Sequence, residues 1–198
     1  MGRRSDARDR LVAAAADLVH RRGYNSVSVA DICEDAGLQK GSFYHFFKSK
    51  QALVLATLEA HASRLSDLFE RHIRHDGDAR AQLEAWLRGL YEGMAERKEA
   101  EGCLLGCPVG NLAQEMAEQD PDIRAHLGTI FSAWTQRLSD IIGRAVDQGS
   151  MRVSDPKAAA EFLVALTQGA FLLAKAQSDP KVVERIAQRA IAAIEDPA

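Results

Sequence analysis

Apolar residues recur at helical spacing along most of the chain, and glycine, proline and short polar residues cut the pattern into segments. Leu11, Ala14, Ala15, Leu18 and Val19 stand at i, i+3, i+4, i+7 and i+8 and predict an amphipathic helix from Asp6 to Arg22, ended by Gly23. Asn25 is a turn residue, and Ser28 with Asp31 approximates a capping box for the next helix. That helix is short. Ile32, Cys33 and Ala36 give it an apolar side, and Gly37 can take the left-handed conformation that stops a helix without a Cβ clash. The chain restarts at once, with Leu38, Phe43, Phe46 and Phe47 on the apolar side of a second short helix. Two such faces bury against each other, with the first helix as a third wall, which is the grammar of a helix-turn-helix headpiece.

Longer helices follow. Ser49 is a good N-cap for one running to about His75, with Leu53, Ala56, Leu58, Leu65, Leu68, Phe69 and Ile73 among its apolar positions. After the break at Asp76-Gly77-Asp78 a fifth helix, Ala79 to Lys98, carries Leu83, Trp86, Leu87, Leu90, Tyr91 and Met94 on one face. Three glycines and one proline between Glu101 and Gly110 mark a bend, and Pro108 fits the first turn of a short sixth helix, Val109 to Glu118. Asp120-Pro121, Asp155-Pro156 and Asp179-Pro180 then open the seventh, eighth and ninth helices, which run to about Gln148, Gln177 and Glu195. No strand alternation or internal repeat interrupts the series. The expectation is an all-α chain of nine helices in two domains, a headpiece over residues 1–50 and a larger helical domain over residues 51–198.

Charge adds direction to this plan. With 46% hydrophobic and 27% charged residues the composition is that of an ordinary soluble protein, and the net charge of -3 argues against wholesale attraction to nucleic acid. Residues 1–50, however, hold nine Lys and Arg against six Asp and Glu, a net +3, which leaves -6 for the rest. Only the N-terminal quarter suits a polyanion. Arg3 and Arg4, ahead of the periodic pattern, make a short basic arm, either a solvated terminus or a DNA-contacting one. Charges interrupt the apolar runs, so no segment is expected to span a bilayer. Residues 1–10 lack the apolar stretch of a signal peptide, which leaves the cytoplasm as the expected compartment. Three cysteines do not make a disulfide framework.

Lys40-Gly-Ser-Phe-Tyr-His-Phe-Phe-Lys-Ser-Lys50, preceded by Val29-Ala-Asp-Ile-Cys-Glu-Asp-Ala-Gly-Leu38, resembles the helix-turn-helix of the TetR family of bacterial transcriptional regulators. The motif covers about the first quarter of the chain. Beyond residue 60 the resemblance is one of architecture. It implies a homodimeric repressor that leaves a two-fold symmetric DNA operator when a small molecule binds the larger domain, with no catalytic residues. Carried over residue by residue, it places base reading on Gln39, Lys40, Gly41 and Ser42, in the first turn of the recognition helix, which such motifs point at base edges. Gln39 suits adenine and Lys40 guanine, and Gly41 permits close backbone approach. Tyr44 and His45 fall on phosphate-holding positions, with packing inside the headpiece as the alternative. Lys48 and Lys50, beside the start of the fourth helix, are expected to grip the DNA backbone. Phe43, Phe46 and Phe47 are core, and Cys33 is a small spacer where two helices approach.

Helices eight and nine carry apolar faces made of Phe162, Leu163, Leu166, Ala170 and Leu173, and of Val183, Ile186, Ala187, Ala190, Ile191 and Ile194. They can close the core of one subunit or meet a copy across a two-fold axis as a four-helix bundle. Specific affinity from a helix-turn-helix needs two half-sites, which favours the dimer.

For sensing, two readings stay open. Cys103 lies where the resemblance places the thiol of members that respond to electrophiles and oxidants, whereas Cys107, just before Pro108, stands at a helix N-terminus that lowers a thiol's pKa. Both can equally be small apolar residues filling a bend. A reversible apolar ligand would instead need a cavity among Trp86, Leu90, Tyr91, Met94, Phe131, Trp134 and Phe171, residues that serve as well for core. No metal or cofactor is expected: the two bend cysteines supply only two zinc ligands, and His61, His72 and His75 read as a solvated face. A thiol-based enzyme or a ligand-storage protein without DNA binding is the alternative, but no nucleophile elbow, phosphate loop, H-E-x-x-H or dinucleotide fingerprint is present.

Overall fold

A computed structural model of the protein describes the backbone of residues 2–72 and 77–196 and the side chains of residues 6–64 and 77–196. Among the described residues there are nine α-helices and no strand: α1 Gly2–Arg22, α2 Val29–Asp35, α3 Lys40–Phe46, α4 Lys50–His72, α5 Ala79–Glu101, α6 Pro108–Met116, α7 Pro121–Asp147, α8 Pro156–Gln177 and α9 Lys181–Ile194. The all-α expectation holds. α1 starts earlier than Asp6, so Arg3 and Arg4 belong to its first turns and are not an arm ahead of it; their side chains lie outside the described residues. The same applies to the side chains of Leu65, Leu68, Phe69, His72, Ile73 and His75.

Local chemistry fixes most boundaries. Ser28 Oγ accepts from the Asp31 amide at 3.1 Å, and the Asp31 carboxylate accepts in return from the Ser28 amide at 2.7 Å, completing the capping box. These bonds from the Ser28 hydroxyl and amide hold the Asp31 carboxyl below the ordinary aspartate range. The contribution of this cap is therefore present above the unfolded carboxylate pKa and is lost as pH falls through the lowered one. Asp78, Asp120 and Asp155 cap α5, α7 and α8 in the same way, each side chain accepting from two amides of its helix's first turn. At Gly37 φ is +62°, and the Leu38 amide reaches back 2.8 Å to the Cys33 carbonyl. Arg10 Nη2 donates to the carbonyl of Ala36, and to that of Gly37 at 3.4 Å, so the turn between α2 and α3 is tied to α1.

The chain forms two compact units whose boundary differs from the expected division at residue 50. One unit comprises residues 1–65 and 108–128, the other residues 66–107 and 129–198. α6 and the first turns of α7 belong with the headpiece, because polar links described below bind them to it. The core of the first unit is Leu11, Ala15, Leu18, Val27, Ile32, Cys33, Phe43, Phe47 and Leu53. The second unit has one cluster around Leu83, Leu87, Leu138, Ile142, Leu163 and Ile191 and another around Leu104, Ala170, Ala174, Val182 and Val183.

The expected dimer set divides. Leu163, Ala170, Val183, Ala190, Ile191 and Ile194 are buried in their own subunit, a correction to their assignment to an interface. Leu166, Ile186 and Ala187 are half-buried, whereas Phe162 and Leu173 stay 47% and 45% exposed. Helical periodicity shows that a face is buried but not against what. Leu172, 50% exposed, joins the outward set.

α8 also corrects the view that charges break every apolar run. By length and composition it is long and apolar enough to cross a membrane. Ala159, Ala160, Leu163, Thr167, Ala170 and Ala174 are nevertheless buried on one side of it, so it is a core helix with a second apolar face.

Candidate nucleic-acid interface

The turn at Gly37 sets α3 so that Phe43 is fully buried and Phe47 is 7% exposed, while the opposite side of the helix faces outward. Gln39 is the N-cap of α3, with φ -84° and ψ 153°, but its side chain makes no capping hydrogen bond and is exposed. Lys40 and Gly41 are exposed beside it and Ser42 is half-buried. A Cβ at Gly41 would meet nothing within 4 Å, so the fold itself does not require glycine there.

Tyr44 is 61% exposed, its ring braced edge-on by Phe43 at 5.1 Å. His45 is exposed and stands edge-on to Phe46 at 4.9 Å. Packing inside the headpiece is therefore not what these two side chains do. Lys48 is exposed, and the Arg8 guanidinium lies 5.4 Å from the centre of the adjoining Phe47 ring. In the sequence Arg8 carries no local signal, being one more arginine on the polar side of α1. Cys33 is buried, and burial pushes its thiol up, against an opposing effect of Lys40, as suits a spacer.

Lys50 departs from its expected role as a phosphate grip. Its Nζ donates to the carbonyls of Tyr24 and Val27, both at 2.8 Å, and sits 4.0 Å from the centre of the Tyr24 ring. Burial pushes the ammonium below the ordinary lysine value, and the Glu115 carboxylate opposes that shift. A positive charge at a helix start reads the same in sequence whether its partner is a phosphate or a carbonyl.

In the second unit, Leu90, Tyr91, Met94 and Phe171 gather around Leu104, Ala170, Ala174, Val182 and Val183. Trp86 packs with Leu90 on the other cluster, and Phe131 meets Trp134 edge-on at 5.3 Å. Four of the seven expected sensing residues thus share one place. The bend with the two cysteines is fixed to it, because Leu104, next to Cys103, is 6% exposed in that cluster. Lys98 Nζ bonds the Gly102 carbonyl at 3.2 Å and the Ser178 hydroxyl, which ties the same bend to the end of α8. Cys103 is half-buried, Cys107 is buried, and neither is in a disulfide.

Comparison with known proteins agrees with this geometry. Residues 11–57 match the family described as bacterial regulatory proteins of the tetR family, and residues 79–190 match the tetracyclin repressor-like C-terminal domain. The transcriptional regulator AcuR of Cereibacter sphaeroides is 34% identical over 88% of this chain and 78% of its own length. The repressor NemR of Escherichia coli is 27% identical over 86% of this chain and 84% of its own. A regulatory protein TetR from Rhodobacter sphaeroides superposes with a TM-score of 0.84 at 31% identity, covering 93% of this chain and 96% of that one. The reduced form of Escherichia coli NemR does so with a TM-score of 0.85 at 26% identity, covering 98% and 99%. The headpiece with its outward α3 and the helical domain beyond it are therefore those of a DNA-binding transcriptional regulator, and the chain belongs to the TetR family.

Proposed function

We propose that the protein is a homodimeric repressor that holds a two-fold symmetric operator and is released when a small apolar molecule or an electrophile acts on its second unit. The observation that carries the reading is the outward turn of α3, where Gln39, Lys40 and Gly41 stand exposed together above a buried Phe43. In this reading Gln39, Lys40 and Ser42 meet base edges and Gly41 lets the backbone approach. Tyr44, His45 and Lys48, with Arg8 and the N-terminal Arg3 and Arg4, hold phosphates and set the register. The protein acts in the cytoplasm, where a bacterial operator is.

The dimer rests on α8. Ala158, Phe162, Ala165, Gly169, Leu172 and Ala176 follow one another at alternating spacings of four and three, and all but the half-buried Gly169 are exposed. That is a heptad stripe of small and large apolar residues, suited to the close approach of a second copy of the same helix.

Salt dependence separates the two lysines. Lys48→Ala weakens binding to all sequences alike and reduces the slope of log affinity against log salt by about 1. Lys50→Met lowers the melting temperature and leaves that slope unchanged, since its charge serves two carbonyls. Equal slope changes in the two variants overturn the assignment.

Thiol sensing is supported by the position of Cys103 and Cys107 on either side of the anchored Leu104, and by similarity to NemR, which was solved in a reduced form. Treatment with N-ethylmaleimide is expected to weaken operator binding by at least about ten-fold, roughly 1.4 kcal/mol, and either Cys103→Ser or Cys107→Ser protects. Unchanged binding by the alkylated wild type removes the electrophile and leaves a reversible ligand among Leu90, Tyr91, Met94 and Phe171.

A further inference from the structure

The segment between α1 and α2 leaves the helix at Gly23, where φ is +85°, and has one internal backbone bond, from the Val27 amide to the Tyr24 carbonyl at 3.3 Å. Its remaining polar groups need partners. The donors find one about ninety residues away: the amides of Tyr24 and Asn25 donate to Glu115 Oε2 and Oε1 at 2.7 and 2.8 Å. The acceptors find the other in Lys50, which serves the carbonyls of Tyr24 and Val27. A carboxylate from α6 and an ammonium from α4 thus hold the donors and the acceptors of one turn.

The fit is close. A Cβ at Gly23 would come within 3.0 Å of Glu115 Oε2. Asn25 Nδ2 adds a bond to Gln119 Oε1 at 3.4 Å, and Gln51 at the start of α4 donates to Asp120 at 2.8 Å, so the end of α6 and the cap of α7 are joined to the headpiece at more than one point. All these residues lie in the first compact unit. α6 begins at Pro108, the residue after Cys107.

We propose that Glu115 is a positioning residue for DNA binding: by gripping the two amides that follow α1, its carboxylate makes the orientation of the recognition helix depend on α6. Glu115 touches no DNA in this role. It fixes the angle at which α3 is presented and, in a dimer, the half-site spacing that the protein accepts; the proposal rests on the two-half-site reading above.

The test uses the full-length protein and a two-fold symmetric duplex selected by it from random-sequence DNA, beside the same duplex with the half-sites moved apart by two base pairs. Wild type is expected to prefer the selected spacing by at least about ten-fold, because recognition helices on a dimer are set for one separation. Glu115→Ala loses most of that preference while keeping the wild-type salt slope, since no phosphate contact is removed. Glu115→Gln, which keeps one acceptor, falls between. Hydrogen exchange at the Tyr24 and Asn25 amides accelerates in the same order. A purely structural role lowers the melting temperature and the affinity for both duplexes alike, leaving the spacing preference intact. That outcome in Glu115→Ala overturns the clasp alone. A wild type indifferent to spacing overturns the two-half-site reading and the clasp with it.

Discussion

Phe43→Ala abolishes operator binding and loosens the headpiece. Phe43 is fully buried in α3, edge-on to Tyr44 and 6.1 Å from the ring of Phe47, in a core that also holds Leu11, Ile32 and Leu53. Truncating a buried phenylalanine to alanine costs about 3–5 kcal/mol, from lost transfer energy and from the cavity left behind. That is a large share of the stability of an ordinary domain. The loss also acts directly on the exposed side of α3, because the ring that braces Tyr44 is removed. Thermal unfolding followed by circular dichroism is expected to show an earlier or additional transition, and gel shift to show at least about a hundred-fold loss of affinity, equivalent to about 2.7 kcal/mol. A variant with wild-type melting and affinity within a factor of two or three contradicts the assignment of Phe43 as the centre of the headpiece.

The second large effect belongs to α8. Phe162→Asp combined with Leu172→Asp places two carboxylates on the exposed heptad stripe. Both side chains point outward, 47% and 50% exposed, so the folded subunit loses little packing. A copy of the helix meeting this face would instead bury unpaired charges, which is strongly unfavourable. Sedimentation is expected to give a monomer of wild-type helicity. Operator affinity falls by about 10²–10⁴-fold, the range lost when two linked binding events become one. Leu163→Ala makes the contrast: Leu163 is fully buried in the subunit's own core, so this change lowers stability before it alters oligomeric state. A dimer that survives the double substitution shows that α8 is not the interface.

These contrasts mark what can be read from the chain and what cannot. Helix starts were legible because their causes are local: Ser28 and Asp31 cap α2 across three residues, and Asp120 and Asp155 cap the helices whose first residue is the following proline. The turn at Gly37 was legible for the same reason. The α3 pattern showed which side is core and so, by subtraction, which side is free. The α6 clasp was not legible, since no periodicity joins Glu115 to an amide ninety residues earlier. Burial at Val183, Ala190 and Ile191 is legible in the sequence, but its partner is not, because an apolar stripe reads alike for a neighbouring helix of the same subunit and for a second copy. Lys50 shows the polar version of this ambiguity.

The most direct test of the central claim is the affinity of the wild-type protein for a selected two-fold symmetric duplex and for a scrambled duplex of equal length, measured from low to physiological salt beside Gln39→Ala and Lys40→Ala. The expected result is a preference of at least about 10³ for the selected duplex, with both affinities falling as salt rises. Each substitution is expected to remove about 1–3 kcal/mol of that preference at one base position. Equal affinity for the two duplexes, or a preference that neither substitution reduces, contradicts the account in which the first turn of α3 reads the operator.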